Sequence, residues 1–182
     1  KSSKSSVFAL KPIDFHGTTP KLLVKVGDKI KAGSPVFFDN YRESIMFVSP
    51  VSGTISEIKR GAKRKILEIL INADDNISYK ETNVKDINNK NREELKKLIL
   101  DAGLWPFIKM RPIDIIANPL ETPKSIFVSA FDSKPLAPDY NFVLQNCEKE
   151  FSAGIDLLSK LTDGKVYLQT RKDSDKIFNQ KN

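Results

Sequence analysis

The chain has 182 residues, 40% of them hydrophobic and 29% charged, enough apolar material for one ordinary domain or two small ones and too much for a disordered chain. Its single cysteine, Cys147, excludes an internal disulfide, and with one histidine, His16, it excludes a Cys/His zinc centre. The net charge of +7 points to an acidic partner, a membrane surface or nucleic acid, and no apolar run approaches the roughly 20 residues a spanning helix needs.

The opening Lys1-Ser-Ser-Lys-Ser-Ser6 has neither a methionine nor an apolar core, so it does not read as a signal peptide. Up to about residue 72 the chain is short, alternating and β-branched. Turn signals recur at Gly27-Asp28, Ala32-Gly33-Ser34-Pro35, Asp39-Asn40, Ser49-Pro50 and Ser52-Gly53. That pattern predicts a small all-β domain over 1–75. The polar, Asn-rich stretch from Asp74 to Lys90 reads as a linker. It leads to a helix in which Leu95, Leu98 and Ile99 share one face and Gly103 is the stop, completing a linking region over 76–110. The positive excess lies mostly in the first part, and residues 111–182 are balanced, with ten basic and ten acidic side chains.

The third part has a different pattern. Residues 125–131 form an apolar run of the kind buried in a parallel sheet. A Pro-rich loop follows at 132–139, and then a helical stretch carrying Phe142, Val143, Cys147, Phe151, Ile155, Leu158 and Leu161 near 3.6 spacing. Gly164 punctuates it before a second strand at 165–169. Strand, helix, strand is a βαβ unit. One such unit does not make a complete parallel sheet, so 111–182 is expected to be the start of a longer α/β domain.

Within 1–75 two segments share one design. Residues 22–36 run strand, Gly27-Asp28 turn, short strand, Gly33 turn, strand, and residues 49–71 repeat the idea through Gly53 and Gly61. This spacing resembles the biotinyl/lipoyl family, a barrel-sandwich hybrid of two interlocked β halves. That family carries its cofactor on a lysine between the halves. Here the span between Lys31 and Lys59 has no lysine, so no swinging arm can be attached.

A closer resemblance covers nearly the whole chain. It is carried by Phe8-Ala-Leu-Lys-Pro-Ile-Asp-Phe-His-Gly-Thr-Thr-Pro-Lys-Leu22, Phe47-Val-Ser-Pro-Val-Ser-Gly-Thr-Ile55, Arg60-Gly-Ala-Lys-Arg-Lys65 and Trp105-Pro-Phe-Ile-Lys-Met-Arg-Pro-Ile-Asp114. Ile126-Phe-Val-Ser-Ala-Phe-Asp-Ser-Lys-Pro-Leu-Ala-Pro-Asp139 continues it in the same order. In these the chain resembles the A subunits of the bacterial sodium-translocating NADH:quinone oxidoreductases. The likeness implies an α+β two-domain fragment, a barrel-sandwich hybrid without the swinging-arm lysine followed by a truncated, Rossmann-like α/β domain. It also implies a peripheral component on the cytoplasmic side of the bacterial inner membrane, docked on the flavin-bearing membrane component, the B subunit. Ubiquinone would be the complex's substrate. Flavins and an iron–sulfur centre would belong to other subunits, with no covalent cofactor and no redox centre here. Family members are more than twice this length.

Candidate sites follow. Phe131, Asp132, Lys134, Pro135 and Leu136 lie after the C-terminal end of a predicted parallel strand, where open α/β sheets place ligands. Phe131, Pro135 and Leu136 would pack a flat quinone head and Lys134 would donate to its carbonyl. The alternative is a rigid crossover loop with no ligand. The loop lacks Gly-x-Gly-x-x-Gly, which argues against a dinucleotide. Lys59, Arg60, Lys63, Arg64 and Lys65 place five cations in seven residues at a predicted β turn. They suit docking on phospholipid or on an acidic protein surface, or form a solvated hairpin tip. Without interleaved aromatics nucleic acid is not expected as a partner. His16 reads as structural, Cys147 as a buried thiol and Trp105 as packing. No Ser/His/Asp, Cys/His or paired-carboxylate constellation supports catalysis by this chain alone, and no metal is expected. The competing function is a non-enzymatic binding module whose basic barrel edge recognises an acidic protein or membrane surface.

Overall fold

A computed structural model describes residues 5–82, 84 and 87–171, the side chain of Asn88 excepted. The chain divides into two compact units. One comprises Lys1–Lys85 and Lys97–Asn118, the other Asp86–Lys96 and Pro119–Asn182.

The first unit holds β1 (Val7–Leu10), β2 (Pro20–Leu22), β3 (Lys29–Ile30), β4 (Pro35–Asp39), β5 (Arg42–Val48), β6 (Gly53–Arg60) and β7 (Ile66–Ala73). They form two antiparallel sheets, in the orders β1-β7-β6-β3 and β2-β4-β5. The interlocking expected from the repeat is visible in the bonds that link its halves. Gly27 donates to the Ile55 carbonyl (2.8 Å) and Ile55 to that of Asp28 (2.9 Å), while Gly33 donates to Ser49 and Ser49 to Ser34. Gly27 and Gly33 both have positive φ (92° and 87°), the conformation that glycine adopts without steric cost.

Period-2 alternation sets the inward face of β5 and of β7 from Ile69 onward, a register shift opposite Lys59 and Arg60 brings Ile66 inside as well, and β4 is buried on both faces. Ile66, Ile69 and Ile71 of β7 are buried while Leu67 faces out, and Ile55 of β6, Ile45 and Phe47 of β5 and Val36 and Phe37 of β4 complete the core. Phe37 and Phe47 stack at 4.4 Å, and Phe15 meets Phe47 edge-on at 4.6 Å. Each such side chain contributes about 1.5–3 kcal/mol through burial alone. The β4–β5 turn centres on Asn40 and Tyr41. The fully buried Asp39 accepts there from the Thr19 and Tyr41 N–H groups and from Arg42 Nε (2.7 Å).

Helix α1 (Arg92–Asp101) is built as its sequence suggests. Asn91 Oδ1 accepts from the Glu94 N–H, and the Glu94 carboxylate accepts from the Asn91 N–H, a reciprocal capping box. At its other end Gly103 (φ 69°) donates to Leu100, and Leu104 donates to Ile99, which closes a Schellman motif. Trp105 is buried and its indole N–H reaches the Ala117 carbonyl at 2.8 Å. A short hairpin, β8 (Lys109–Met110) with β9 (Ile115–Ile116), belongs to the first unit, where Arg42 donates to the Ile116 carbonyl.

In the second unit β10 (Ile126–Ser129) and β11 (Val166–Gln169) pair in parallel, Ile126 opposite Val166, as the βαβ reading requires. The connection differs from the single helix expected. It comprises α2 (Tyr140–Val143) and α3 (Glu148–Ser159). Asn146 takes φ 66° between them, and Cys147 is the half-buried residue preceding α3 rather than a member of its apolar face. Phe142 and Val143 are exposed. The Arg92 guanidinium donates to the Lys160 and Thr162 carbonyls and to Asp163 (2.6 Å), satisfying the chain at the end of α3. Among the described residues no helix is long and apolar enough to cross a membrane.

Candidate functional site

The loop after β10 is held by hydrogen bonds among its own residues. Ser129 Oγ donates to the Phe131 carbonyl (2.7 Å), Asp132 Oδ1 accepts from the Lys134 N–H (3.0 Å), and Ala137 donates to the Lys134 carbonyl. Phe131 is half-buried, with the Arg171 guanidinium 5.4 Å from its ring centroid. Phe131 and Asp132 border a cleft shared with Asp139, Tyr140, Asn141 and Arg171, whose volume of about 20 Å³ admits about one water. Lys134, Pro135 and Leu136 are exposed and lie outside the cleft lining, and Leu136 adopts φ 62°. The five loop residues are therefore not gathered around one slot. Asn141 Oδ1, in the same cleft, is buried with no hydrogen-bond partner.

A larger concavity, about 180 Å³, lies in the first unit beside the turn that follows β1. Pro12, Ile13, Phe15, His16, Thr18 and Lys65 are among its walls. Phe15 is fixed there by the Phe37–Phe47 stack behind it. Thr18 Oγ1 is buried without a partner, a state that polar groups in folded proteins rarely hold. The sequence alone marks His16 as structural and does not single out Phe15 or Thr18. The one local signal is Phe15-His16-Gly17-Thr18, an aromatic beside two polar groups and a glycine that takes φ 76°.

The five cations cluster at the β6–β7 hairpin, where the sequence predicts a turn. Ala62–Arg64 forms a tight turn at its tip, with Gly61 donating to the Lys65 carbonyl at 2.8 Å. Lys59 bonds Glu68 at 3.1 Å, and Lys11 approaches the other oxygen of the same carboxylate at 3.3 Å. The hydrogen bond to Glu68 raises the Lys59 pKa above its ordinary value. Lys59 and then Lys11 hold the Glu68 carboxyl below the usual range. Among the described residues, no three His, Cys, Asp or Glu side chains come together where a metal could be held.

Comparison with known proteins bears on both units. Residues 1–74 match the model of the NqrA N-terminal barrel-sandwich hybrid domain, and residues 90–182, half the chain, match that of the NqrA second alpha/beta domain. The chain belongs to the NqrA family. Its curated relatives include the A subunit of the Na(+)-translocating NADH-quinone reductase of Saccharophagus degradans, 36% identical over 162 residues, 88% of this chain and 36% of the relative. The corresponding proteins of Tolumonas auensis (36% over 158 residues) and Pasteurella multocida (34% over 157) each match 85% of this chain and 35% of their own length. The chain thus spans about a third of the length of the relatives it matches. The family match agrees with the fold expected from sequence, a barrel-sandwich hybrid followed by an α/β domain.

Proposed function

We propose that this chain acts as a peripheral component of a membrane redox pump that oxidises NADH, reduces ubiquinone and exports sodium. It contributes to quinone binding and to docking on the flavin-bearing membrane component, the B subunit. The observation that carries this reading is the match of both halves, in order, to the two domains of one family whose relatives are named as the A subunit of such a reductase. In this reading the chain has no redox centre of its own and lies on the cytoplasmic face of the bacterial inner membrane. Flavins and the iron–sulfur centre reside in partner subunits. Lys59, Arg60, Lys63, Arg64 and Lys65 serve docking.

The quinone head group is flat and neutral, and is held by aromatic packing with one or two hydrogen-bond donors. The Phe15 concavity supports it better than the β10 loop does. It offers a fixed aromatic wall, an unpartnered Thr18 hydroxyl and several times the volume of a water molecule. The loop of Phe131, Asp132, Lys134, Pro135 and Leu136 is the second reading. Its place beyond the end of a parallel strand and the unpartnered Asn141 Oδ1 beside Phe131 favour it.

Two experiments test these proposals. The tagged chain is incubated with detergent-solubilised membranes of its host. Recovery of flavin-containing membrane subunits with NADH:quinone reductase activity is expected, and recovery of the chain alone overturns the complex. Titration with a soluble short-chain ubiquinone then compares Thr18→Val and Phe131→Trp. A selective loss of affinity in Thr18→Val supports the concavity, a loss confined to Phe131→Trp moves the quinone to the loop, and saturable binding untouched by either removes both.

A further inference from the structure

The β6–β7 tip carries more charge than its fold needs. Lys63 and Arg64 both hold the left-handed conformation, with φ of 53° and 60°. Side chains with a Cβ enter that region at a steric cost, and turns that require it ordinarily place glycine or asparagine there. Here consecutive cations occupy it, each exposed. The turn is braced from below, since Arg60 Nη1 donates to the Arg64 carbonyl at 3.1 Å.

The distribution of carboxylates around the tip is uneven. Glu68 serves Lys59 and Lys11. Among the described residues no carboxylate pairs with Arg60, Lys63, Arg64 or Lys65, so four cations project from one end of the hairpin without neutralisation. Apolar side chains lie beside them. Leu67 is 40% exposed on the strand leaving the tip, and Lys65 shares the concavity wall with Ile13, which is 65% exposed.

We propose that this end of the barrel rests on an anionic phospholipid surface. Arg60, Lys63, Arg64 and Lys65 would meet the phosphates, and Ile13 and Leu67 would enter the boundary between head groups and acyl chains. Charge complementarity selects the occupant. Unpaired cations around exposed aliphatic groups are the combination that an interfacial surface presents, each cation adding to the attraction of an anionic leaflet. The cations alone would suit an acidic protein equally well. The exposed aliphatic side chains of Ile13 and Leu67 among these cations are what favour lipid, because a charged protein surface offers them no apolar partner whereas the boundary between head groups and acyl chains does. The proposal deepens the docking role proposed above and takes its biological setting from it, but its test needs no partner protein.

The purified chain is floated with vesicles of phosphatidylcholine alone and of phosphatidylcholine with 30% phosphatidylglycerol, at about 50 mM and about 500 mM salt. Binding is expected only to the anionic vesicles, with release at the higher salt. Lys63→Gln/Arg64→Gln, neither of which lines the concavity, is expected to weaken partitioning about 30-fold, since each cation contributes roughly fivefold. Ile13→Ser is expected to weaken it separately, by up to about tenfold. Circular dichroism and Trp105 emission verify that both variants fold. The proposal is overturned by absence of binding to anionic vesicles, by equal binding to neutral ones, or by a folded Lys63→Gln/Arg64→Gln chain that binds as wild type. Retention on polyglutamate without vesicle binding also overturns it and assigns the tip to an acidic protein. None of these outcomes alters the pull-down result, so failure here is distinguishable from failure of the complex.

Discussion

Gly53 opens β6 where it lies against β7, opposite Ala73. A Cβ added there would land on the Asn72 carbonyl oxygen and would lie 2.9 Å from the Asn72 carbonyl carbon and 3.0 Å from Ala73 Cα. These atoms are backbone, so no rotamer change can relieve the contact and the two strands must part. Overpacking costs about 1–3 kcal/mol, and loosening a neighbouring ladder bond adds about 1 kcal/mol. Gly53→Ala is therefore expected to cost about 2–4 kcal/mol. Gly61→Ala is the control, because the atoms nearest its Cβ belong to the flexible Leu67 side chain, at 3.2–3.3 Å, and it is expected to cost less than about 1 kcal/mol. Trp105 is the sole tryptophan and lies in the same unit, so its emission follows that unit through urea unfolding. With a urea slope of about 2 kcal/mol per molar, the Gly53→Ala midpoint should fall by roughly 1–2 M. A midpoint within about 0.3 M of wild type would refute the close approach of β6 and β7.

Asp39→Ala should destabilise the same unit by about 3–5 kcal/mol, read by thermal unfolding. It leaves the Arg42 guanidinium and the Thr19 and Tyr41 N–H groups without their buried acceptor; a loss under about 1 kcal/mol contradicts this. The Glu68 carboxyl is held low by Lys59 and Lys11, so its contribution is present above the ordinary carboxylate range and lost as pH falls through its folded value. Lys59 is raised, so its share is present below the ordinary lysine value and lost as pH rises through the folded one. Glu68→Gln should flatten both limbs of the melting temperature against pH, and an unchanged profile would count against the pair.

Local signals account for most of the barrel. The alternation that buries Ile69 and Ile71 and the glycines at 27 and 33 are legible without coordinates, because each acts within a few residues, whereas Ile66 comes inside through a register shift that the spacing does not show. The Asn91-x-x-Glu94 cap is legible for the same reason. The break between α2 and α3 is not, since apolar spacing near 3.6 runs straight through Cys147 while the positive φ of Asn146 interrupts the helix. Nor is the attachment of residues 97–118 to the barrel, which rests on bonds such as Arg42 to Ile116, 74 residues apart. The basic tip is visible as a run of charge. The Phe15 concavity is not, because its walls come from residues 12–20 and from 65–66 across the sheet, and an unpartnered hydroxyl leaves no trace in sequence.

The grouping of Lys97–Asn118 with the barrel also affects how the protein is made. During synthesis β7 is complete at Ala73, yet the Ile116 carbonyl that accepts from Arg42 lies 43 residues further on. Until that stretch leaves the ribosome, the nascent barrel lacks Trp105 and Ile116, and a guanidinium beside the buried Asp39 is without one of its acceptors. The N-terminal unit therefore matures late. A chain cut between positions 73 and 116 would keep all seven barrel strands and still leave the Arg42 guanidinium without the Ile116 carbonyl.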